Sequence, residues 1–455
     1  MKKLLLLTLV VMTAVGLSAQ NEPKQIKLSK EEQEMVNGSN LFAWKLFGQA
    51  QKNYDLIVSP LSVTYALGLL NNGAAGETQE QINNALGFGN TGADGINKFC
   101  NKLLTEAPGL DERTKVMISN TIFVNQAMGY ELKEPFTEKA KAYYQAEPDC
   151  RNFGDGKTLD VINQWASDHT AGMIPQILSE DEFDPSFVSY LLNAIYFKGT
   201  WTLKFDEKET QEEPFETGSK QPPRVQMMHM EKELPYQEDD DFQALRLPYG
   251  DGAYAMTILL PREGKDGLGQ LRKLTDDQWN NRYQYPYYFK EAVVDVKLPR
   301  FETDTNLDLK ELMSNLGMTK AFTPAAEFPD FCNTDIYIGL MKQVAKIKVN
   351  EEGTEAAAVT IIGEKATGIQ EPKHVKFHAN RPFVYVISEQ STGVIFFVGQ
   401  YTGQKQEPKG ATALEKATVA PSDGNGVIYN LKGQRLTAPP AKGLYIRNGK
   451  KMTAI

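Results

Sequence analysis

Three cysteines and four histidines in 455 residues leave little material for several kinds of chemistry. Cys100, Cys150 and Cys332 are too sparse and too odd a set to be a disulfide framework, so stability has to come from a buried core. One disulfide is possible among them, and the sequence does not choose the pair. CxxC and HExxH are both missing. His374 and His378 stand four apart, but Pro372 and a strand-like run make them polar residues at a strand edge rather than a helical metal pair. No metal or other cofactor is expected. GxSxG is missing as well, which removes the nucleophile elbow of a serine hydrolase. GFGNTG at Gly87–Gly92 follows a helical stretch (QEQINNAL) where a dinucleotide fingerprint needs a strand, so it reads as a helix-ending loop. GDGKT, beginning at Gly154, has Arg151 where a phosphate-binding loop needs its first glycine. EDDD at Glu238–Asp241 lacks the glycine of a calcium loop and reads as a solvated turn. An enzyme is not expected.

Positive charge is scarce too. Lys and Arg number 49 against 58 Asp and Glu, a net charge of −9, and the pI is near 5.3. That balance, with no basic run on any helical segment, argues against nucleic acid and against a heparin-like polyanion as partners. The long apolar run is confined to the N-terminus. Lys2 and Lys3 precede Leu4–Leu17, and Ser18, Ala19 and Gln20 follow. This predicts a cleaved signal peptide over residues 1–19, its apolar run too short to serve as an anchor. No cysteine lies near the cleavage point for lipoprotein attachment. The product is expected to be secreted: extracellular, at the cell surface, or periplasmic.

What remains is a chain that is 41% hydrophobic, with no linker visible between residues 30 and 403. Ser59 before Pro60 predicts a helix start, and Leu61, Tyr65 and Leu69 recur once per turn. A second helix carries Leu309, Leu312, Met313 and Leu316, with Gly317 placed to end it. In AVVDVKLPRF, Val294, Val296 and Leu298 alternate with Asp295 and Lys297, a half-buried strand. RPFVYVI and GVIFFVG are continuous apolar runs around SEQST, two central strands joined by a turn. Helices early and strands late make the fold class α+β. Residues 404–426 read as a linker, and 427–455 as a short β-rich tail in which VIYNLKGQRL and GLYIRNGKKM are two strand-like runs separated by TAPPAK.

One segment resists a single assignment. NEEGTEAAAVTIIGEKATG (Asn350–Gly368) is helix-like, then strand-like, then loop-like. Its EEGTEAAAVT (Glu351–Thr360) resembles the reactive-loop hinge of the serpins. So do LIVSPLSVTYALGLLNNGAAGET (Leu56–Thr78), SNTIFV (Ser119–Val124), LLNAIYFKGTWTLKFD (Leu191–Asp206), ALRLPYGDGAYAMTILLP (Ala244–Pro261), VKLPRF (Val296–Phe301) and FHANRPFVYVI (Phe377–Ile387), in serpin order from Glu31 to Tyr401. The resemblance implies a large central mixed sheet with further sheets, a helical upper part, and an exposed reactive-centre loop. It also implies a suicide inhibitor of serine, and alternatively cysteine, endopeptidases. The cut loop would insert into the central sheet while the protease is still a covalent acyl-enzyme, which demands a metastable native fold. A monomer is expected. The other reading is a non-inhibitory serpin, a carrier or binding scaffold.

The residues meet that demand independently. A strand sliding between two others needs small side chains at its leading end, and Gly353, Thr354, Ala356, Ala357 and Ala358 are small. Alternation sends Thr354, Ala356, Ala358, Thr360 and Ile362 to one face, and Glu355, Ala357, Val359 and Ile361 to the other. By the resemblance, the hinge is Glu351, Gly353–Ala358 and Thr360, and the scissile bond is Thr367–Gly368, with Lys365 or Ala366 as alternative bait residues. Glu364 would fall at the solvated trailing edge. Ser59, Ser62 and Asn193 match polar residues under the sheet where it parts. Gln343 stands where the family often has histidine, so opening is kept while pH dependence there is lost. Trp201 matches the tryptophan near the loop-insertion point; read from burial alone it is a plain core residue. The tail resembles an abbreviated type IX sorting signal of secreted proteins from Gram-negative gut and oral bacteria, implying a bacterial secreted serpin.

Overall fold

In the computed structural model, the described residues are 24–265, 267–272, 278–283, 288–354, 373–405, 428–429, 435–436, 443–447 and 450–454. The chain divides into two compact units, residues 1–404 and 405–455. The first is α+β. Its helices α1 (Lys30–Ala50), α2 (Pro60–Asn71), α3 (Gly76–Leu86), α4 (Gly92–Glu106), α5 (Glu134–Tyr144) and α6 (Thr158–His169) come early. The Ser59 side chain accepts the N–H of Ser62, and Pro60 opens α2, as the sequence predicts. The once-per-turn stripe understates the burial of α2, however. Every residue of it is buried, Ser62 and Thr64 included. α3 ends at Gly87, whose φ of +75° suits glycine, so GFGNTG is the helix-ending loop. The helix Leu309–Asn315 buries Leu309, Leu312 and Met313 and is followed by Gly317 at φ +96°.

The strands are β1 (Leu56–Val58), β2 (Thr114–Asn125), β3 (Asp149–Arg151), β4 (Ser189–Thr200), β5 (Gln211–Pro214), β6 (Arg224–Glu238), β7 (Phe242–Tyr249), β8 (Tyr254–Pro261), β9 (Lys290–Pro299), β10 (Phe301–Asp308), β11 (Leu340–Asn350), β12 (Gly353–Thr354), β13 (His374–His378), β14 (Phe383–Glu389) and β15 (Ile395–Tyr401). One sheet runs β1-β15-β14-β8-β7-β6-β9-β13, with β5 on β6. β14 and β15 are wholly buried antiparallel neighbours inside it. On β9, Val294, Val296 and Leu298 are buried while Asp295 and Lys297 are half-buried. β13 is the edge strand, where His378 Nε2 lies 3.0 Å from Asp295, which also takes His229 at 3.0 Å. The EDDD turn departs from the solvated reading. Asp239 accepts the N–H groups of Asp241 and Phe242 and the hydroxyl of buried Tyr283 at 2.6 Å, so it builds the β6–β7 connection.

The second sheet positions the site. Its order is β10-β11-β12-β4-β2-β3, with β11 parallel to β4 and β4 antiparallel to β2. Both faces are covered, which is why LLNAIYF is apolar on both faces apart from Asn193. Tyr190, Leu192 and Ala194 pack with Ile162 and Ala166 of α6, while Leu191, Ile195 and Phe197 join the main core with α2. Period-two alternation therefore sends Asn193 to the α2 side.

The C-terminal unit is a four-stranded antiparallel sheet: β16 (Ile428–Tyr429), β17 (Arg435–Leu436), β18 (Gly443–Arg447) and β19 (Lys450–Ala454), in the order β17-β16-β18-β19. Each run expected as one strand is two. In sequence, the glycines of LKG and RNG fall between the paired strands.

Candidate functional site

The ladder between β11 and β4 runs from Leu340↔Tyr190 to Ala345↔Ile195. At the far end of both strands a different segment sits between them. β11 ends at Asn350, Glu351 and Glu352 turn the chain, and Gly353–Thr354 returns antiparallel to both neighbours. Val349↔Thr354 and Asn350↔Gly353 pair on one side, Gly353↔Thr200 and Thr354↔Gly199 on the other. This corrects the expectation of a wholly exposed loop. Its first two residues are buried strand, because they are small enough to fit.

The turn is built from local chemistry. Asn350 Oδ1 accepts the N–H groups of Glu352 (3.0 Å) and Gly353 (3.2 Å). Gly353 has φ +142°, and a Cβ there would lie 2.1 Å from the Gly199 carbonyl oxygen, so only glycine passes. The hydroxyls of Thr354 and Tyr249 are 2.7 Å apart. Tyr249 stacks on Trp201 at 4.4 Å and 13°. Trp201 donates its backbone N–H to the Glu352 carbonyl and its indole N–H to the Asn350 carbonyl, each at 2.9 Å. It is a buried tryptophan that fastens the Asn350–Glu352 turn to the end of β4.

Glu351 anchors the turn. Its side chain is 2% exposed and lies against Arg300, whose Nε donates at 2.6 and 2.7 Å, and Thr210 donates to the same carboxylate. Burial works to raise the Glu351 carboxyl, but the hydrogen bonds from Arg300 and Thr210 outweigh it and hold it below the usual glutamate value. A lowered carboxylate contributes stability that is complete above the ordinary glutamate pKa and is lost as pH falls through the folded value. We expect Arg300→Ala to cost about 2–4 kcal/mol at neutral pH, since it strands a buried carboxylate whose partner is partly solvated. That loss should shrink toward zero at acid pH, measured by denaturant unfolding across pH 3–8 (roughly the carboxylate range).

Across the middle of the sheet lies a polar row on the α2 side. Gln343, Asn193 and Asn120 are neighbours on β11, β4 and β2. Gln343 accepts the Ser59 N–H (3.0 Å) and donates to the Ser59 carbonyl (2.9 Å) and Asn193 Oδ1 (3.0 Å). Asn193 Nδ2 donates to the Ser62 carbonyl (3.1 Å) and Asn120 Oδ1 (2.6 Å), and the Ser62 hydroxyl donates to Asn193. All five residues are buried. The expected set Ser59, Ser62, Asn193 and Gln343 is thus brought together, and none of its members titrates near neutral pH. Gln343→Leu leaves the buried Ser59 N–H without its acceptor, at roughly 1–3 kcal/mol, while the Ser59 carbonyl keeps the Val63 N–H and Asn193 Oδ1 keeps the Ser62 hydroxyl. Its thermal midpoint should fall by several degrees with no dependence on pH between about 5 and 8.

Glu355, Ala356, Ala357, Ala358 and Thr360, and the bait positions Lys365, Ala366, Thr367 and Gly368, lie outside the described residues. Sequence reasoning missed Arg300, Thr210, Tyr249 and Asn120. Arg300 directly follows LP in the quoted VKLPRF, but nothing local to it points at residue 351.

This arrangement of strands and hinge has relatives. Residues 37–403 match the family profile described as Serpin (serine protease inhibitor). The chain belongs to the serpin family. It is 31% identical over 389 residues to Iripin-2 of Ixodes ricinus, covering 82% of this chain and 94% of that protein. The native state of the thermophilic serpin tengpin aligns with a TM-score of 0.73 at 28% identity, over 83% of this chain and 96% of that one. Human thyroxine-binding globulin aligns at TM-score 0.74 over 83% and 100%. Its identity is 22%, so that likeness concerns the fold alone. In this serpin, Gly353–Thr354 sits between β11 and β4 of the six-stranded sheet, beyond the end of their direct ladder.

Proposed function

We propose that this serpin is a secreted, monomeric inhibitor of serine endopeptidases, acting as a suicide substrate and performing no turnover of its own. The protease attacks Thr367–Gly368, or a neighbouring bond at Lys365 or Ala366. The freed loop then enters between β11 and β4 before the acyl-enzyme hydrolyses. One observation carries the reading. Gly353–Thr354 already occupies the top of the gap between two parallel strands, in register to continue. The hinge residues that would follow are small, so they cost little to bury.

Incubation with an elastase, a subtilisin and a trypsin, followed by denaturing gels, tests it. A covalent band of summed mass with at least one protease is the expected result. Cleavage without such a band would make the chain a substrate-type carrier or scaffold, and turnover of an added substrate would make it an enzyme.

A further inference from the structure

The three cysteines have different surroundings. Cys100 is enclosed in α4 with the Tyr144 hydroxyl within hydrogen-bond reach, and burial pushes its thiol far up. Cys150 is partly exposed on β3, the edge strand of the six-stranded sheet. Its Sγ lies within hydrogen-bond reach of the Leu132 backbone. Leu132 in turn forms an antiparallel bridge with Cys332. The Lys133 N–H donates to the Phe331 carbonyl and the Asn333 N–H to the Glu131 carbonyl, each at 3.0 Å, so residues 331–333 are fixed against 131–133. Both cysteines thus adjoin Leu132, which is fixed by the two backbone hydrogen bonds that flank its bridge to Cys332. The Cys332 thiol, raised first by burial, also feels the charge of Cys150. Its S–H donates to the Thr334 carbonyl at 2.9 Å, a weak bond that competes little.

From these contacts we propose that Cys150 and Cys332 become joined by a disulfide in an oxidising compartment, while Cys100 stays a buried thiol. The oxidant is the disulfide of a thiol carrier such as oxidised glutathione. The more exposed Cys150 loses its proton to solvent and attacks the carrier disulfide, releasing one carrier thiolate. Cys332, deprotonated in turn, attacks the Cys150 sulfur of the mixed disulfide and releases the second. Two cysteine thiols and one carrier disulfide give one protein disulfide and two carrier thiols, the released protons returning to the carrier thiolates.

The place of the bond follows from the strand registers. Cys150 pairs with Val124, Val124 with Ser189, and the next row holds Tyr190 and Leu340. That is the closed end of the β11–β4 ladder, opposite the hinge. Cys332 lies on the chain leading into β11, so the bond ties the β4-β2-β3 side to the β11 side at the end the hinge does not use.

The test is a thiol count and a non-reducing peptide map of the full chain after incubation with oxidised glutathione and alkylation in denaturant. The expected result is a loss of two of the three alkylatable thiols, a Cys150–Cys332 linked peptide, and alkylation at Cys100 alone. Cys332→Ser should stall at a Cys150–glutathione mixed disulfide, with no linked peptide, and Cys100→Ser should leave the bond in place. Three free thiols after oxidation, a bond that includes Cys100, or a bond formed only between molecules would each overturn the proposal. The map of the unmutated protein decides it even where a variant fails to fold.

Discussion

Nicking the intact serpin in its loop at or near Thr367–Gly368 should raise its unfolding midpoint by more than about 10 °C. For a chain of this size such a shift corresponds to several kcal/mol released by insertion. The register explains how. The rows open to the loop are those of β4, twelve residues from Ser189 to Thr200. Gly353 and Thr354 occupy the first two. Continued antiparallel, the loop reaches the opposite end of β4 with Glu364 beside Ser189, the first residue of that strand. A strand from Thr354 to Lys365, roughly 40 Å long, then gains ladder bonds on both sides. Differential scanning calorimetry on intact and cleaved protein measures the shift. Equal midpoints would mean that the intact form stores no excess free energy, and the proposed trap would lack its driving force.

Thr354→Arg should convert inhibitor into substrate. Thr354 is 1% exposed, with its hydroxyl on Tyr249 and its backbone paired to two strands. A guanidinium buried there without a counter-charge costs several kcal/mol, so arginine would expel the Gly353–Thr354 segment from the sheet of the intact protein and insertion would have to meet that cost. Each 1.36 kcal/mol added to the insertion barrier slows it about tenfold, so insertion slows by about a thousandfold and hydrolysis of the acyl-enzyme wins. On denaturing gels the covalent complex should fall below roughly a tenth of its unmutated yield, on the same arithmetic, while cleaved serpin accumulates. Thr354→Ser keeps a small side chain and its hydroxyl and should retain complex formation. Full inhibition by the arginine variant would mean that trapping does not need residue 354 buried in the sheet.

Local chemistry was legible in the sequence and non-local pairing was not. Ser59-Pro60 announces α2 because a cap and a fixed φ act within one turn. Val294, Val296 and Leu298 announce β9 because alternation is a property of the strand itself. The hinge shows in its run of small residues. Arg300, by contrast, serves Glu351 across 51 positions of chain, and Asn120 joins Asn193 across 73. No periodicity near either residue encodes the partner. Whether Gly353 and Thr354 lie inside or outside the sheet was also hidden, since the same small residues fit both states. The two tail hairpins were missed for a different reason. Each run carries one internal glycine, Gly433 or Gly449, too weak a signal by itself to divide a strand-like run.

The polar row has a second use once the hinge register is extended. Thr354 lies opposite Val349 and Gly199, and the same count puts Thr360 opposite Gln343 and Asn193. On the proposed mechanism the arriving strand would sever the Gln343–Asn193 hydrogen bond at the row where it would bring a hydroxyl of its own. One threonine can donate to one amide and accept from the other, so the berth vacated by the direct bond is refilled in kind. The buried amides change partners instead of being abandoned, and the seam can part without leaving unmet polar groups in a dry interior.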